Sequence, residues 1–305
     1  GHVNRERRRD RRVGGRLRQR IDDLRCDSRG AARRSRRRHG GGLRGHGKVF
    51  TRGHLVLFLR FVVVFVSVDL ETAASIGQKA GARSAARLGA RKIPTCEAPV
   101  LFEAPIASSL IGHFASAVSG GNLYRKSSFL LDSIGQQVFA PDIQILELPH
   151  IHKGLASGAF DDDGVTTVAR KVVENGIVQG YFLGSYSARK LGMRTTGNAG
   201  GTHNLIMQNA APMDFNALLK KMGTGLLVTE LLGHGINAVT GDYSRGASGY
   251  WVEKGEIAYP VEEITIAGNL QKMFQGIQAI GNDIIVHGSK QCGSVLIDRM
   301  TIAGG

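Results

Sequence analysis

The sequence predicts an α+β fold, with a β-rich C-terminal domain and a few helices. Three observations predict it. Two tight-turn signals, Asn175-Gly176 and Glu253-Lys254-Gly255-Glu256, each join short apolar runs, the pattern of a β-hairpin. The 42 glycines are about twice ordinary usage, and many lie between short strand-like segments, where turns need them. Helix-period segments are few and lie mainly before residue 120.

The elements follow in order. Asp69 to Leu88 reads as an amphipathic helix rich in Ala, Gln, Lys and Arg, with Gly89 placed to end it. Lys92-Ile93-Pro94 breaks the pattern. Ala98 to Phe102 is a strand, and Ala107 to Val118 a helix closed by Gly120-Gly121. Ile143 to Leu148 alternates apolar and polar, as a half-buried strand does. From Thr166 the texture is β-rich. Lys171–Glu174 pairs with Ile177–Leu183 across Asn175-Gly176, and Gly249–Val252 pairs with Ile257–Pro260. Leu270 to Ala279 reads as a helix, and Asp283–Val286 and Val295–Ile302 as strands. The expected organisation is an arm over 1–68, a linking region over 69–165 and the β-rich domain over 166–305.

The net charge of +15 points at first to a nucleic-acid binder. Its distribution does not. Residues 1–68 hold 20 Lys+Arg against 5 Asp+Glu, whereas residues 69–305 hold 20 against 20. The arm has 19 Arg and one Lys, no apolar period and almost no aromatic interleaving among its arginines to support base stacking. It reads either as a disordered basic tail that touches phosphates or as text outside the native reading frame, from GC-rich DNA. The abrupt recovery of ordinary composition near Asp69 favours the second. Leu55 to Val68 is apolar but interrupted by Arg60, and is shorter than the roughly 20 residues that span a bilayer. It is expected to be a strand or an artefact, with no membrane association. Three widely spaced cysteines, Cys26, Cys96 and Cys292, form no CxxC and imply no disulfide framework, which fits a reducing cytoplasm.

The chemistry concentrates in Val228-Thr229-Glu230-Leu231-Leu232-Gly233-His234-Gly235. Read as a helix, this places Glu230 and His234 four apart on one face. A zinc peptidase uses such a helix to hold metal through histidine and to take a proton from metal-bound water through glutamate. Thr229 stands where a first histidine would be. Cys292 could add a thiolate, and His203 and His287 are candidate ligands by type only. The alternative is a helix with a solvated or capping Glu230, a hydrogen-bonded His234 and a buried, inert Cys292. Asp161-Asp162-Asp163-Gly164 is either a hard-cation loop or a solvated turn. Arg189-Lys190 with Arg194 is either a carboxylate site or a solvated edge. Gly197-Asn198-Ala199-Gly200-Gly201 lacks the Lys-Ser/Thr of a phosphate loop.

Five further strings extend the reading. They are Leu123-Tyr124-Arg125-Lys126-Ser127-Ser128-Phe129-Leu130, Tyr186-Ser187-Ala188-Arg189-Lys190-Leu191-Gly192-Met193, Gly241-Asp242-Tyr243-Ser244-Arg245-Gly246-Ala247, Glu263-Ile264-Thr265-Ile266-Ala267-Gly268-Asn269-Leu270 and Gln291-Cys292-Gly293-Ser294-Val295-Leu296. Together they resemble the PmbA (TldE) branch of the TldD/PmbA metallopeptidase family, over about Asp69 to Gly305. The resemblance implies that the family's N-terminal α/β domain is largely missing or replaced here. It sets Thr229 at the first His of a His-Glu-x-x-x-His motif, Glu230 at the general base, and His234 and Cys292 at the remaining metal ligands. It implies zinc in a TldD-like partner subunit rather than with certainty in this chain. It also implies a cytoplasmic heteromer that cleaves small or unfolded peptides and takes part in peptide maturation. A retained His234 is more of the site than the PmbA branch leads one to expect. The two rival expectations are an independent metallopeptidase using His234 and Cys292, and a nucleic-acid binder acting through the basic arm.

Overall fold

The computed structural model describes residues 71–304. The arm over 1–68, Cys26, the run Leu55–Val68 and the first residues of the helix expected from Asp69 lie outside the described residues.

Helix α1 (Ala73–Ala86) starts at Thr72, whose side chain accepts a hydrogen bond from Ser75 N, and it buries no residue. Strand β1 (Cys96–Phe102) then enters the core, with Val100, Leu101 and Phe102 all buried. Pro105 opens the first turn of α2 (Ala104–Ala117), where its missing N–H costs nothing. The Glu103 side chain makes no capping bond to the helix. Instead the Oγ of Ser294, far along the chain, accepts from Ala104 N at 3.0 Å. Ala107, Leu110, Ile111 and Phe114 form the buried stripe of α2 at helical spacing. A short α3 (Gly120–Tyr124) follows.

A five-stranded sheet comes next. It is built from β2 (Ile143–Leu148), β3 (Arg170–Glu174), β4 (Ile177–Val178), β5 (Asn204–Asn209) and β10 (Lys290–Gln291), in the order β10-β5-β2-β3-β4. Asn175 and Gly176 take φ of 50° and 77°, the left-handed pair that a two-residue hairpin turn requires. Helix α4 (Ser185–Lys190) lies between β4 and β5, and α5 (Phe215–Met222) follows β5, capped by the Asp214 carboxylate on Ala217 N.

The second sheet contains β1, β6 (Gly225–Leu232), β7 (Asp242–Glu253), β8 (Glu256–Asn269), β9 (Ile277–Ile280) and β11 (Val295–Ala303), with α6 (Leu270–Gln275) between β8 and β9. Its order is β1-β6-β7-β8-β11-β9, and β1 also pairs with β11. Five strands therefore close on themselves, which removes most free edges. Closure also buries both faces of β1. Val100 and Phe102 belong to the main core, while Leu101 packs with Leu227, Leu296, Leu218 and Met222 beneath α5. In the main core Phe139 stacks on Phe274 at 4.5 Å and meets Phe114 edge-on at 5.1 Å.

The architecture is α+β and strand-rich, as expected. Strands from both sides of residue 165 share each sheet. Four expectations fail. The strand read over Ile177–Leu183 ends at Val178. The stretch from Val228 to Leu232 is strand, not helix, because its residues continue an apolar run that closes the barrel between β1 and β7. The helix read over Leu270–Ala279 stops at Gln275, and Gly276 hands the chain to β9, which pairs with β11. Asp283–Val286 is irregular, since Asp283 accepts from Ser294 N and Oγ at 2.8 and 2.6 Å and so is held by its side chain rather than by a ladder. The hairpin through Lys254-Gly255 is far longer than its turn implied, with strands of 12 and 14 residues.

Candidate functional site

Strand β6 outruns its neighbour. β1 pairs with it only from Val100↔Leu226 to Phe102↔Val228, after which Glu103 N donates to Val228 O and the chain turns into α2. On the other side β7 follows β6 to Leu232↔Gly246. Thr229 to Leu232 thus has a strand on one side only, among the described residues. The register shifts between Val228 and Glu230, so Thr229 is a β-bulge residue. A bulge breaks strict alternation, which is why Thr229 and Glu230 line the same cavity.

Two cavities meet this segment. One, of about 710 Å³, is lined by Arg83, Arg87, Glu103, Thr229, Glu230, Tyr250 and Tyr259 among others. The other, of about 520 Å³, is lined by Pro105, Ile106, Ser108, Ser109, Gly112, His113, Leu231, Arg245 and Lys290.

The first cavity is charge-balanced. The Arg87 guanidinium lies 2.6 Å from the Glu230 carboxylate and also bonds the Ser248 hydroxyl, which in turn donates to Glu230 at 3.2 Å. The Arg87 hydrogen bond, with smaller help from Ser248, holds the Glu230 carboxyl below the usual range. Arg83 clamps Glu103 through its two terminal guanidinium nitrogens. The second cavity is not balanced. Burial first, and then the Arg245 charge, push the His113 imidazole down to about 4. The Tyr243 ring stands edge-on to His113 at 6.1 Å, and burial pushes its phenol up to about 12.

The residues read from the sequence separate as follows. Glu230 and Thr229 lie on β6, not on a helix. His234 sits in the loop after it, exposed, between Gly233 at φ 74° and Gly235, whose place a Cβ could not share with the Ser244 carbonyl 1.8 Å away. The shared helical face of Glu230 and His234 does not exist, because the backbone there is extended. Cys292 is buried, and burial with the nearby Asp283 carboxylate pushes its thiol up to about 12. The pairing of Val295 with Phe102, and of Phe102 with Val228, brings Cys292 and Glu230 to the same end of the barrel.

These residues do not fit a metal. A threonine hydroxyl is a poor ligand, and the Glu230 carboxylate is engaged by Arg87. Among the described residues no group of three or more His, Cys, Asp or Glu side chains is placed to hold a metal ion. Both ring nitrogens of His203 face carbonyl oxygens, of Ala156 at 3.1 Å and Gly197 at 2.9 Å, and His287 is exposed. Asp161 is buried and accepts from the backbone N–H of Asp163, Val165 and Ala199, so the acidic run is a self-capped turn. Arg189, Lys190 and Arg194 are exposed and line neither cavity. The sequence reading missed Arg87, His113, Arg245 and Lys290. Two signals existed. His113 interrupts the apolar stripe of α2, and Arg245 stands alone among glycine, serine and alanine in β7.

Comparison with known proteins identifies the family. Residues 95–304 match the model of the PmbA/TldA metallopeptidase C-terminal domain. Metalloprotease PmbA of Escherichia coli is 52% identical over 236 residues, covering 77% of this chain and 52% of that protein. The crystal structure of a Thermotoga maritima protein superposes with a TM-score of 0.72 at 36% identity, over 77% of this chain and 56% of the other. TldE of Thermococcus kodakarensis shares the fold, with a TM-score of 0.66 at 22% identity, over 76% and 55% of the two chains. A Haemophilus influenzae metalloprotease TldD homolog is 27% identical over 72% of this chain and 48% of its own. The chain spans about half the length of the curated relatives it matches. It belongs to the TldD/PmbA metallopeptidase family, in the PmbA branch.

Proposed function

We propose that this chain is a PmbA-type subunit that holds extended peptide segments beside a TldD-like subunit, and that the TldD-like subunit carries the zinc and cleaves small or unfolded peptides during peptide maturation in the cytoplasm. The observation that carries the reading is the one-sided stretch Thr229–Leu232. Its free backbone edge, next to two cavities, is what strand addition by a peptide needs, with main-chain hydrogen bonds for affinity and cavities for alternate side chains. The Arg87–Glu230 pair supports a non-catalytic role for this copy of the motif. A carboxylate stabilised as the anion by a guanidinium is a weaker base toward water. Cys96 and Cys292 are both unpaired, in keeping with a reducing compartment. Among the described residues no helix is long and apolar enough to cross a membrane.

The test is metal analysis and hydrolysis of an unfolded reporter peptide, by the purified chain alone and mixed with a TldD-type subunit. The expected result is sub-stoichiometric zinc and no cleavage alone, with cleavage restored in the mixture. Stoichiometric zinc in the lone chain, lost on His234→Ala, would instead establish an independent metallopeptidase.

A further inference from the structure

We propose that the cavity lined by His113, Arg245 and Lys290 is a carboxylate site, and that it takes the C-terminal carboxylate of a peptide lying along Thr229–Leu232. The inference deepens the peptide-holding reading and rests on it. Two cations line the cavity and no aspartate or glutamate does. Among the described residues neither Arg245 nor Lys290 forms an ion pair. Arg245 is only partly exposed, and its Nε has no hydrogen-bond partner. The Tyr243 phenol is its neighbour in hydrogen bonding, but it carries no counter-charge. A half-buried guanidinium without a counter-charge loses hydration that a neutral phenol does not replace, so the site is poised for an anion.

The donors are of the right kind. Ser109 Oγ and His113 Nε2 are also buried without partners. Unsatisfied buried groups are few in folded proteins, and three on one cavity call for a shared explanation. Arg245 can offer two parallel N–H groups to a carboxylate, and the serine hydroxyl and a neutral imidazole can each donate one more. His113 is neutral at pH 7 because burial and Arg245 disfavour its charged form. The aliphatic stem of Lys290 passes over Gly112 of α2, with Cδ and Cε 3.8 and 3.9 Å from where a Cβ would stand. That brings its ammonium to the same cavity.

The placement selects a chain end rather than a free anion. Leu232 pairs with Gly246, and Arg245 is the next residue of β7, one step beyond the end of β6. A peptide paired parallel to β6 would place its C-terminal carboxylate at the Leu232 end, the end at which Arg245 follows Gly246 on β7. The cavity's 520 Å³ exceeds what a carboxylate fills, and Pro105, Ile106 and Leu231 give its walls an apolar part. A peptide ending in a small apolar residue meets both features.

The experiment is calorimetric titration of the full chain with N-acetyl-Ala-Ala-Ala-Val as the free acid and as the C-terminal amide, with inorganic phosphate as a competitor. The acid is expected to bind at least about tenfold more tightly than the amide, the usual scale of a bidentate charge-assisted contact. Arg245→Gln is expected to bring that ratio to near one while amide binding persists. Lys290→Gln, at the cavity rim, is expected to reduce it in part, and it serves if the Arg245 variant does not fold. Equal binding of acid and amide overturns the carboxylate site and leaves peptide holding intact, as does a ratio that survives both substitutions. Phosphate that displaces the acid at equal affinity marks a generic anion site and overturns the chain-end assignment. If neither peptide binds, the peptide-holding reading fails. The site itself is then decided by titrating acetate and following the His113 ring by NMR. A saturable shift absent from Arg245→Gln retains the carboxylate site, and no shift overturns it.

Discussion

His113 shows how one side chain ties fold to pH. It lies on α2 with its ring against Tyr243 and under the charge of Arg245, and these surroundings hold its pKa at about 4. In the unfolded chain an imidazole titrates near 6.5. Above 6.5 both states are neutral there, and His113 contributes no pH dependence. As pH falls from 6.5 toward 4, the unfolded chain takes up a proton that the native site refuses, so stability falls across that window. Below about 4 the native state also binds the proton, and the dependence from this group ends. Thermal midpoints measured from pH 7.5 to 4 should drop less in His113→Gln than in the parent. Parallel curves would mean that the ring is not desolvated as the structure has it. The carboxylates with depressed pKa, Glu230 among them, act with the same sign but lower, because their stabilisation is lost only as pH falls through the acid range.

At the scale of elements, α1 stands apart because it buries nothing. Charged contacts and two backbone bonds, Arg91 N to Pro260 O and Glu262 N to Arg91 O, hold its C-terminal turn and the segment after it to the barrel. Arg83 bonds Glu103, Arg87 bonds Glu230 and Ser248, and Arg91 donates through its N–H to Pro260 O and covers the Tyr259 ring at 4.7 Å. Partly exposed ion pairs are worth about 0–1 kcal/mol each and weaken with salt. A helix of 14 residues is also marginal on its own in water. Hydrogen exchange over Ala73–Ala86 should therefore speed up by about tenfold or more in Arg87→Ala, and likewise in the parent at 1 M salt. The melting of the barrel should hardly change. Protection of α1 that withstands both would require apolar burial that the structure does not contain. This helix was legible in the sequence because its signals are local, with Ala-rich composition and Gly89 at its end. The hairpin at Asn175-Gly176 was legible for the same reason, since positive φ at both turn positions is written in the residue types. β6 was not. Gly-Leu-Leu-Val-Thr-Glu-Leu-Leu is a short apolar run with no period to separate helix from strand, and what decides it is pairing with β1, more than a hundred residues away.

At the scale of the whole molecule, the same contrast separates what composition reveals from what closure reveals. The barrel shuts through β1 and β11, near opposite ends of the described chain, and the candidate site inherits that remoteness. Glu230 and Cys292 could be named from their strings. Arg87 reaches Glu230 from the C-cap of α1, and His113 and Lys290 line one cavity with Arg245 from α2 and β10, juxtapositions that no spacing in the sequence encodes. Charge distribution, by contrast, is fully legible and yields a prediction that does not depend on the fold. Non-specific DNA affinity scales with the number of phosphates neutralised, and is carried by clustered Lys and Arg. Residues 1–68 carry 20 Lys+Arg against 5 Asp+Glu, and residues 69–305 carry 20 against 20. Retention of the full chain on duplex DNA should fall steeply with salt, and a chain of residues 69–305 should show none at 50 mM salt. The two unbalanced cations of the carboxylate cavity are too few to change this, since each phosphate contact adds only about one unit to the salt slope. DNA binding that survives removal of residues 1–68 with its salt slope intact would place a nucleic-acid surface on the barrel and restore the binding module as a rival to the peptide-holding subunit.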